Sequence, residues 1–280
     1  MTFEWFAVGD VWRAGPRAVS AEDVAAAVAT GGDDHPLHTD ESAARALGFD
    51  GVIAPAALGS LIAGGLWTET GAVTDCAIAS VSESWTFHAP IRVGDDLTFT
   101  ATIVALRPTR SGDRGIVTRY NELHRADGTL VQSGESAVLV SATPGAQHDP
   151  RRDVGTVEWA KLLATELGED AQFRSSVEAW DGTIGLRCGS DEVHLRIYRG
   201  SIIDVTRRAP LGAAFVLGAD RATWADILTG EPTEFAARQL RGDFTTSGNP
   251  YEYLRLSKAL ALLIDAARRL STPEKKENGR

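Results

Sequence analysis

Residues 53–67 read Ile-Ala-Pro-Ala-Ala-Leu-Gly-Ser-Leu-Ile-Ala-Gly-Gly-Leu-Trp, and from Ala56 to Trp67 no position carries a charge. A helix that is apolar around its whole circumference has to be covered around its whole circumference. Pro55 suits its first turn, where a missing N–H loses no hydrogen bond. The uncharged run containing it, Gly51 to Thr68, is just short of the ~20 apolar residues that span a bilayer and is interrupted by Gly and Pro. It therefore reads as a buried helix of a globular protein.

The residues after it supply the cover. From about Cys76 to Ser141 the pattern turns to β, with strand-like runs at Ala77–Phe87, Asp96–Leu106, Gly115–His124 and Thr129–Val140 parted by turn signals. Asp127-Gly128 has the composition of a hairpin turn. One buried helix followed by several long antiparallel strands packs when a curved sheet wraps the helix, which is the hot-dog fold. Upstream, Ser20-Ala21-Glu22-Asp23 has the spacing of a capping box opening a short helix, Asp23 to Thr30. Asp40 is placed to cap a second, Glu41 to Leu47, which Gly48 ends.

At 280 residues the chain is long enough for two cores. Residues 1–145 are expected to form the hot-dog domain and 146–156, rich in Pro, Gly and charge, a linker. A second α+β domain over 157–270 and a charged, disordered tail at 271–280 complete the division. In the second domain a helix at Val157–Leu167 precedes strands at Ser176–Cys188, Glu192–Tyr198, Ser201–Thr206 and Ala214–Leu217. Helices at Arg221–Leu228 and Glu234–Leu240, a strand at Gly242–Thr246 and a long helix Tyr251–Leu270 follow.

A net charge of −10 without a basic stripe argues against a nucleic-acid partner. Cys76 and Cys188 are too few for a disulfide framework, the start of the chain lacks a signal-peptide pattern, and no membrane span is expected, so a cytoplasmic protein is expected.

Chemistry concentrates in Gly32-Asp33-Asp34-His35-Pro36-Leu37-His38-Thr39-Asp40, which puts a carboxylate and an imidazole on one loop just before a capped helix. With Phe49–Ala56 and Phe87–Asp95, this segment resembles the signature of the MaoC-like (R)-specific enoyl-CoA hydratases. That resemblance implies that Asp33 and His38 grip one water, which adds to Cβ of an α,β-unsaturated thioester while a proton passes to Cα. It also implies that the backbone N–H of Ala56, at the positive end of the central helix, meets the oxygen on which charge develops. Gly64 falls where the family has a Ser that helps hold the water or thioester, Pro55 where it has a His, and His35 where it has an Asn. His35, Pro55 and His88 are expected around the pocket.

Pro55 and Gly64 leave room for altered chemistry, such as a hot-dog thioesterase or a related biosynthetic enzyme. A non-catalytic reading has His38 as a core histidine, Asp33 as a loop cap, and the protein as an acyl- or lipid-binding one. Asp33, His35, His38 and Asp40 look superficially like metal ligands, but no distant group completes a tetrahedron. No metal or separate cofactor is expected, coenzyme A or carrier pantetheine being part of the substrate. Residues 195–267 resemble a sterol-carrier-protein-like lipid-binding domain through Leu217–Gly230, Phe235–Leu240, Gly242–Gly248 and a final helix with Leu254, Leu260 and Leu263. The resemblance implies an apolar tunnel between sheet and helices, with Trp180, Phe215, Trp224 and Phe235 as its lining or as plain core. The two resemblances together are similar to the pairing in peroxisomal multifunctional β-oxidation enzymes. The sequence thus predicts a homodimeric hydratase or dehydratase of acyl thioesters with a fused lipid-binding domain.

Overall fold

Ser20 opens the first helix, α1 (Ala21–Gly31), through a reciprocal cap. Asp23 N–H donates to Ser20 Oγ at 3.0 Å and Ser20 N–H donates to Asp23 Oδ2 at 2.8 Å, satisfying two otherwise orphaned amides. Arg17 grips the same carboxylate at 2.8 Å, and that pairing, with the Ser20 amide, holds the Asp23 carboxyl far below the usual range. The computed structural model describes residues 1–271. The expected tail, beyond Ser271, lies outside the described residues. The chain divides into two compact units, one of Met1–Phe6, Asp10–Ile103 and Pro108–Gly145, the other of Ala7–Gly9, Val104–Arg107 and residues from Ala146 onward.

In the first unit the segment read as a loop contains a single helical turn, α2 (Pro36–Thr39), with Pro36 at its first position. Four residues are too few to show a helical period, which is why the pattern concealed it. Asp40 then caps α3 (Glu41–Ala46), accepting from Ser42 N–H at 2.7 Å and Ala43 N–H at 3.2 Å. Gly48 follows at φ +90°, a conformation natural to glycine at a helix end. The central helix is α4 (Ala56–Glu69).

Six strands form one sheet: β1 (Val11–Ala18), β2 (Ala77–Glu83), β3 (Thr86–Phe87), β4 (Asp96–Pro108), β5 (Arg114–Arg125) and β6 (Leu130–Ser141). Their order is β1-β4-β5-β6-β2, with β3 beside β6, and the β1/β4, β5/β6, β2/β6 and β3/β6 pairs are antiparallel. Gly128, at φ +84°, turns the β5–β6 hairpin. β1 was not foreseen, because Gly15-Pro16 inside it reads as a turn; the sheet absorbs the pair with a register shift between Ala14 and Arg17. The run Ala77–Phe87 is broken at Ser84-Trp85. Gly134 of β6 leaves room for the Ser84 carbonyl there, since a Cβ would lie 1.9 Å from that oxygen.

α4 packs against β1 and β5 and buries Leu58, Gly59, Ile62, Ala63, Leu66 and Trp67. The sequence implied burial on every side, and a single chain does not supply it. Ala57, Leu61, Gly64, Gly65 and Thr68 form an exposed stripe, with Leu61 65% exposed, because the sheet of one chain covers only one side of the helix.

The second unit begins with the turn Pro150–Arg152 and buried Val154, then α5 (Val157–Glu169) and α6 (Ala171–Ser176). The expected strand Ser176–Cys188 is shorter, its first residue ending α6. A five-stranded sheet follows, from β7 (Asp181–Cys188), β8 (Asp191–Tyr198), β9 (Ser201–Thr206), β10 (Phe215–Ala219) and β11 (Thr245–Gly248), in the order β11-β10-β7-β8-β9 with β10 parallel to β7. α7 (Arg221–Thr229) and α8 (Phe235–Arg241) precede β11. The long final helix is two, α9 (Pro250–Arg255) and α10 (Ser257–Ser271), parted where Leu256 leaves helical geometry and is buried. Trp159, Leu163, Phe173, Ile184, Leu195 and Leu263 pack in one apolar core, together with Trp180, Phe215, Trp224 and Phe235. A cavity of about 570 Å³ lies beside that core, between α8 and α10. Among the described residues no helix is long and apolar enough to cross a membrane.

Candidate active site

Backbone groups fix the imidazole of His38. His35 Nδ1 accepts the Leu37 N–H at 3.2 Å and so caps α2, while the Leu37 carbonyl accepts the Ile53 N–H at 3.0 Å. His38 Nδ1 lies 2.6 Å from the Ile53 carbonyl oxygen. A carbonyl only accepts, so Nδ1 carries the proton, and Nε2 is the nitrogen whose lone pair is free in the neutral tautomer. Ile53 is itself pinned by a bridge to Arg92, and the next residue, Ala54, donates its N–H to the Ile91 carbonyl at 2.8 Å.

His38 Nε2 stands 3.6 Å from Asp33 Oδ2. That is beyond the ~3.2 Å limit of a direct hydrogen bond and leaves room for one water, about 2.8 Å from each atom, to bridge them. The His38 side chain is 11% exposed and that of Asp33 57%, so the imidazole forms the wall and the carboxylate the rim. Both line a cavity of about 440 Å³ with Ala56, Phe49, Phe87 and His88. His88 Nε2 is 2.8 Å from Ser133 Oγ. Asp33, Pro55 and Ala56 also line a second cavity, of about 860 Å³, floored by Ala57 and Leu61 of α4 and walled by Ala26 and Ala27 of α1. Asp33 therefore stands where the two cavities meet, with His38 in the smaller one.

Pro55, the residue before α4, makes no side-chain cap, so the amides of Ala56 and Ala57 open the helix with no intrahelical acceptor. The macrodipole adds partial positive charge there. Asp33, His38, Ala56, Pro55 and His88 are thus brought to one pocket, whereas His35, expected there too, is exposed, lines neither cavity and spends its ring on capping α2. Gly64 is not brought in. It lies two turns along α4 on the exposed stripe, lines neither cavity, and its carbonyl accepts the Thr68 hydroxyl at 3.0 Å. Having no side chain, it has nothing to reach back with.

Two further residues were not legible in the sequence. Gln132 of β6 lines the pocket, is 1% exposed, and donates through Nε2 to Ser60 Oγ at 2.9 Å. Farther along, Arg119 lies over the Trp67 ring at 4.5 Å and donates to Asn121 Oδ1 at 3.0 Å. Burial pulls its pKa down to about 10, which leaves it charged at neutral pH beside the negative end of α4. Among the described residues no three His, Cys, Asp or Glu side chains gather as metal ligands.

Residues 7–133 match the family described as FAS1-like, dehydratase domain region. A UPF0336 protein of Streptomyces griseus subsp. griseus is 32% identical over 120 residues, covering 41% of this chain and 79% of that protein. Among solved structures, a MaoC domain protein of Chloroflexus aurantiacus J-10-fl superposes with a TM-score of 0.50 at 24% identity, over 53% of this chain and 43% of that one. A MaoC-like dehydratase of Rhodospirillum rubrum is 30% identical over 51% of this chain and 99% of its own, with a TM-score of 0.47.

Proposed function

The chain belongs to the UPF0336 family and its residues 7–133 match the FAS1-like dehydratase domain region, and from that premise we propose that its first unit is a MaoC-like hot-dog domain that adds water to trans-2-enoyl thioesters to give (R)-3-hydroxyacyl thioesters, and catalyses the reverse. The observation that carries this reading is the meeting of Asp33, His38 and the first amide of α4 in one cavity. The steps balance with these groups alone. Nε2 of neutral His38 takes a proton from a water that also donates to the Asp33 carboxylate, and the hydroxide so formed bonds to Cβ. The π electrons shift through Cα to the thioester oxygen, whose charge the Ala56 N–H meets. The enolate collapses, Cα takes the proton back from imidazolium Nε2, and His38 returns to its starting tautomer. Asp33 orients and His38 shuttles.

The substrate in this reading is an acyl chain on coenzyme A or a carrier protein, its thioester beside Ala56. The exposed stripe of α4 supports a homodimer in which a second copy supplies the missing cover. A lipid-binding role for the second unit is supported by the cavity of about 570 Å³ between α8 and α10, and its test is lipid that co-purifies with the full chain. Cys76 and Cys188 are both buried thiols, which favours a reducing compartment. The deciding experiment supplies crotonyl-CoA and longer enoyl-CoA thioesters, follows loss of the enoyl absorbance, and assigns the stereochemistry of the product. Thiol release without hydration would replace the hydratase with a thioesterase. No turnover of any thioester would leave a binding protein.

A further inference from the structure

We propose that Gln132 is a positioning residue that sets the place of the Ala56 amide, acting through Ser60 and the space left by Gly59; this rests on the hydratase reading above. A buried amide is a costly way to fill a strand position that Leu or Met would fill with less desolvation. Here the opposing helix is shaped to receive one. A Cβ on Gly59 would fall 1.9 Å from Gln132 Oε1 and 2.8 Å from Ile91 Cδ1, so only glycine lets the amide lie against the helix. The next residue, Ser60, meets Gln132 Nε2 at 2.9 Å. Its hydroxyl can donate as well as accept, so the tether holds with either orientation of the amide.

Ser60 is four residues after Ala56 and therefore on the same face of α4, one turn along. Gripping Ser60 fixes both the rotation of the helix about its axis and the distance of its first turn from β6. β6 is also tied to the other wall of the pocket. Phe87 pairs with Gln132, His88 donates its N–H to the Val131 carbonyl at 2.9 Å, and the His88 ring meets the next residue, Ser133. Gln132 thus joins the helix that offers the oxyanion donor to the strand that holds the pocket's outer wall. Its Oε1 is buried without a partner among the described residues, which a role in stability alone leaves unaccounted for.

The test is Gln132→Leu and Ser60→Ala, singly and together, in the full chain, with Ser60→Thr as the variant that keeps the hydroxyl. On an enoyl-CoA thioester each of the first two is expected to lower kcat about tenfold, or about 1.4 kcal/mol of transition-state stabilisation, with KM within about twofold. The double variant should lose no more than either single one, and Ser60→Thr should keep at least half of parental kcat. The melting temperature of Gln132→Leu should be equal to or above that of the parent, whereas hydrogen exchange at the amides of residues 56–60 should quicken. Unchanged kcat with unchanged exchange overturns the proposal, as does a loss of kcat matched by a loss of folded protein. If the parent turns over no enoyl thioester, the hydratase reading fails by itself, and faster exchange in Gln132→Leu still upholds the positioning of the helix start while unchanged exchange still refutes it.

Discussion

Replacing Asp33 with Asn keeps the size of the side chain and removes its charge, and the geometry sets what should follow. The side chain is more than half exposed, and it faces His38 Nε2 at 3.6 Å, beyond a direct hydrogen bond. An exposed pair of this kind contributes at most about 1 kcal/mol, and substitutions at such sites usually stay within about 0.5 kcal/mol. For a unit of this size that is a shift in melting temperature of no more than about 2 °C. Activity should respond on another scale, because the amide replaces one acceptor oxygen by a donor and lacks the negative charge that strengthens the bond to the water. A positioned acid–base group typically contributes about 10²–10⁴ in rate, equal to about 2.7–5.4 kcal/mol at 1.36 kcal/mol per decade. His38→Gln should lose a similar amount of rate and also some stability, about 0.5–1.5 kcal/mol, with the bond from Nδ1 to the Ile53 carbonyl. In the proposed mechanism both side chains hold the same water, so the two losses should not multiply, and the double variant should fall near the worse single one. The assay is kcat on crotonyl-CoA for the four proteins with melting curves alongside. An Asp33→Asn variant that keeps more than a third of parental kcat, or a double variant whose losses multiply, would refute the shared-water mechanism.

Other outcomes test the frame around the site. Asp23→Ala removes one arm of the capping box and should cost about 1 kcal/mol in thermal unfolding. Because the Asp23 carboxyl is depressed in the folded chain, its contribution is present above the unfolded value of about 3.9 and is lost as the pH falls through and below it; melting curves between pH 3 and 6 should therefore flatten on the acid side in the variant, and parallel curves would contradict this. In the proposed dimer the exposed stripe of α4 is covered, so Leu61→Glu should leave the fold intact while shifting the parent's dimer mass to that of single chains in sedimentation velocity; an unaltered dimer mass, or a parent that already sediments as single chains, would refute that use of the face. Gly59→Ala gains up to about 1 kcal/mol of helix propensity but forces Gln132 and Ile91 aside at about 1–3 kcal/mol, so both melting temperature and kcat should fall, and a rise in both would contradict the close packing.

What the sequence revealed was chemistry completed within a few residues. Ser20 with Asp23, Asp40 with the amides after it, Gly48 and Asp127-Gly128 each announce their geometry locally, and the Gly32–Asp40 segment delivers Asp33 and His38 to one pocket. Legibility failed where the partner is distant or is not a side chain. Gln132 meets Ser60 across 72 residues, and no periodicity encodes that. β1 was hidden by Gly15-Pro16, α2 by its brevity, and the break at Leu256 by an apolar pattern that runs through it unchanged. The apolar character of α4 announced a covered helix, yet hydropathy does not distinguish cover by the same chain from cover by another surface.

Ile53 faces both ways along the main chain, its N–H held by Leu37 and its carbonyl holding His38. The tautomer of His38 that the proposed mechanism needs is thereby dictated by a peptide group, and the identity of residue 53 is nearly irrelevant to it. Valine or leucine there would leave the imidazole's protonation pattern intact, whereas proline would cut the link to Leu37. A position that tolerates exchange of its side chain can thus remain indispensable through the atoms every amino acid shares.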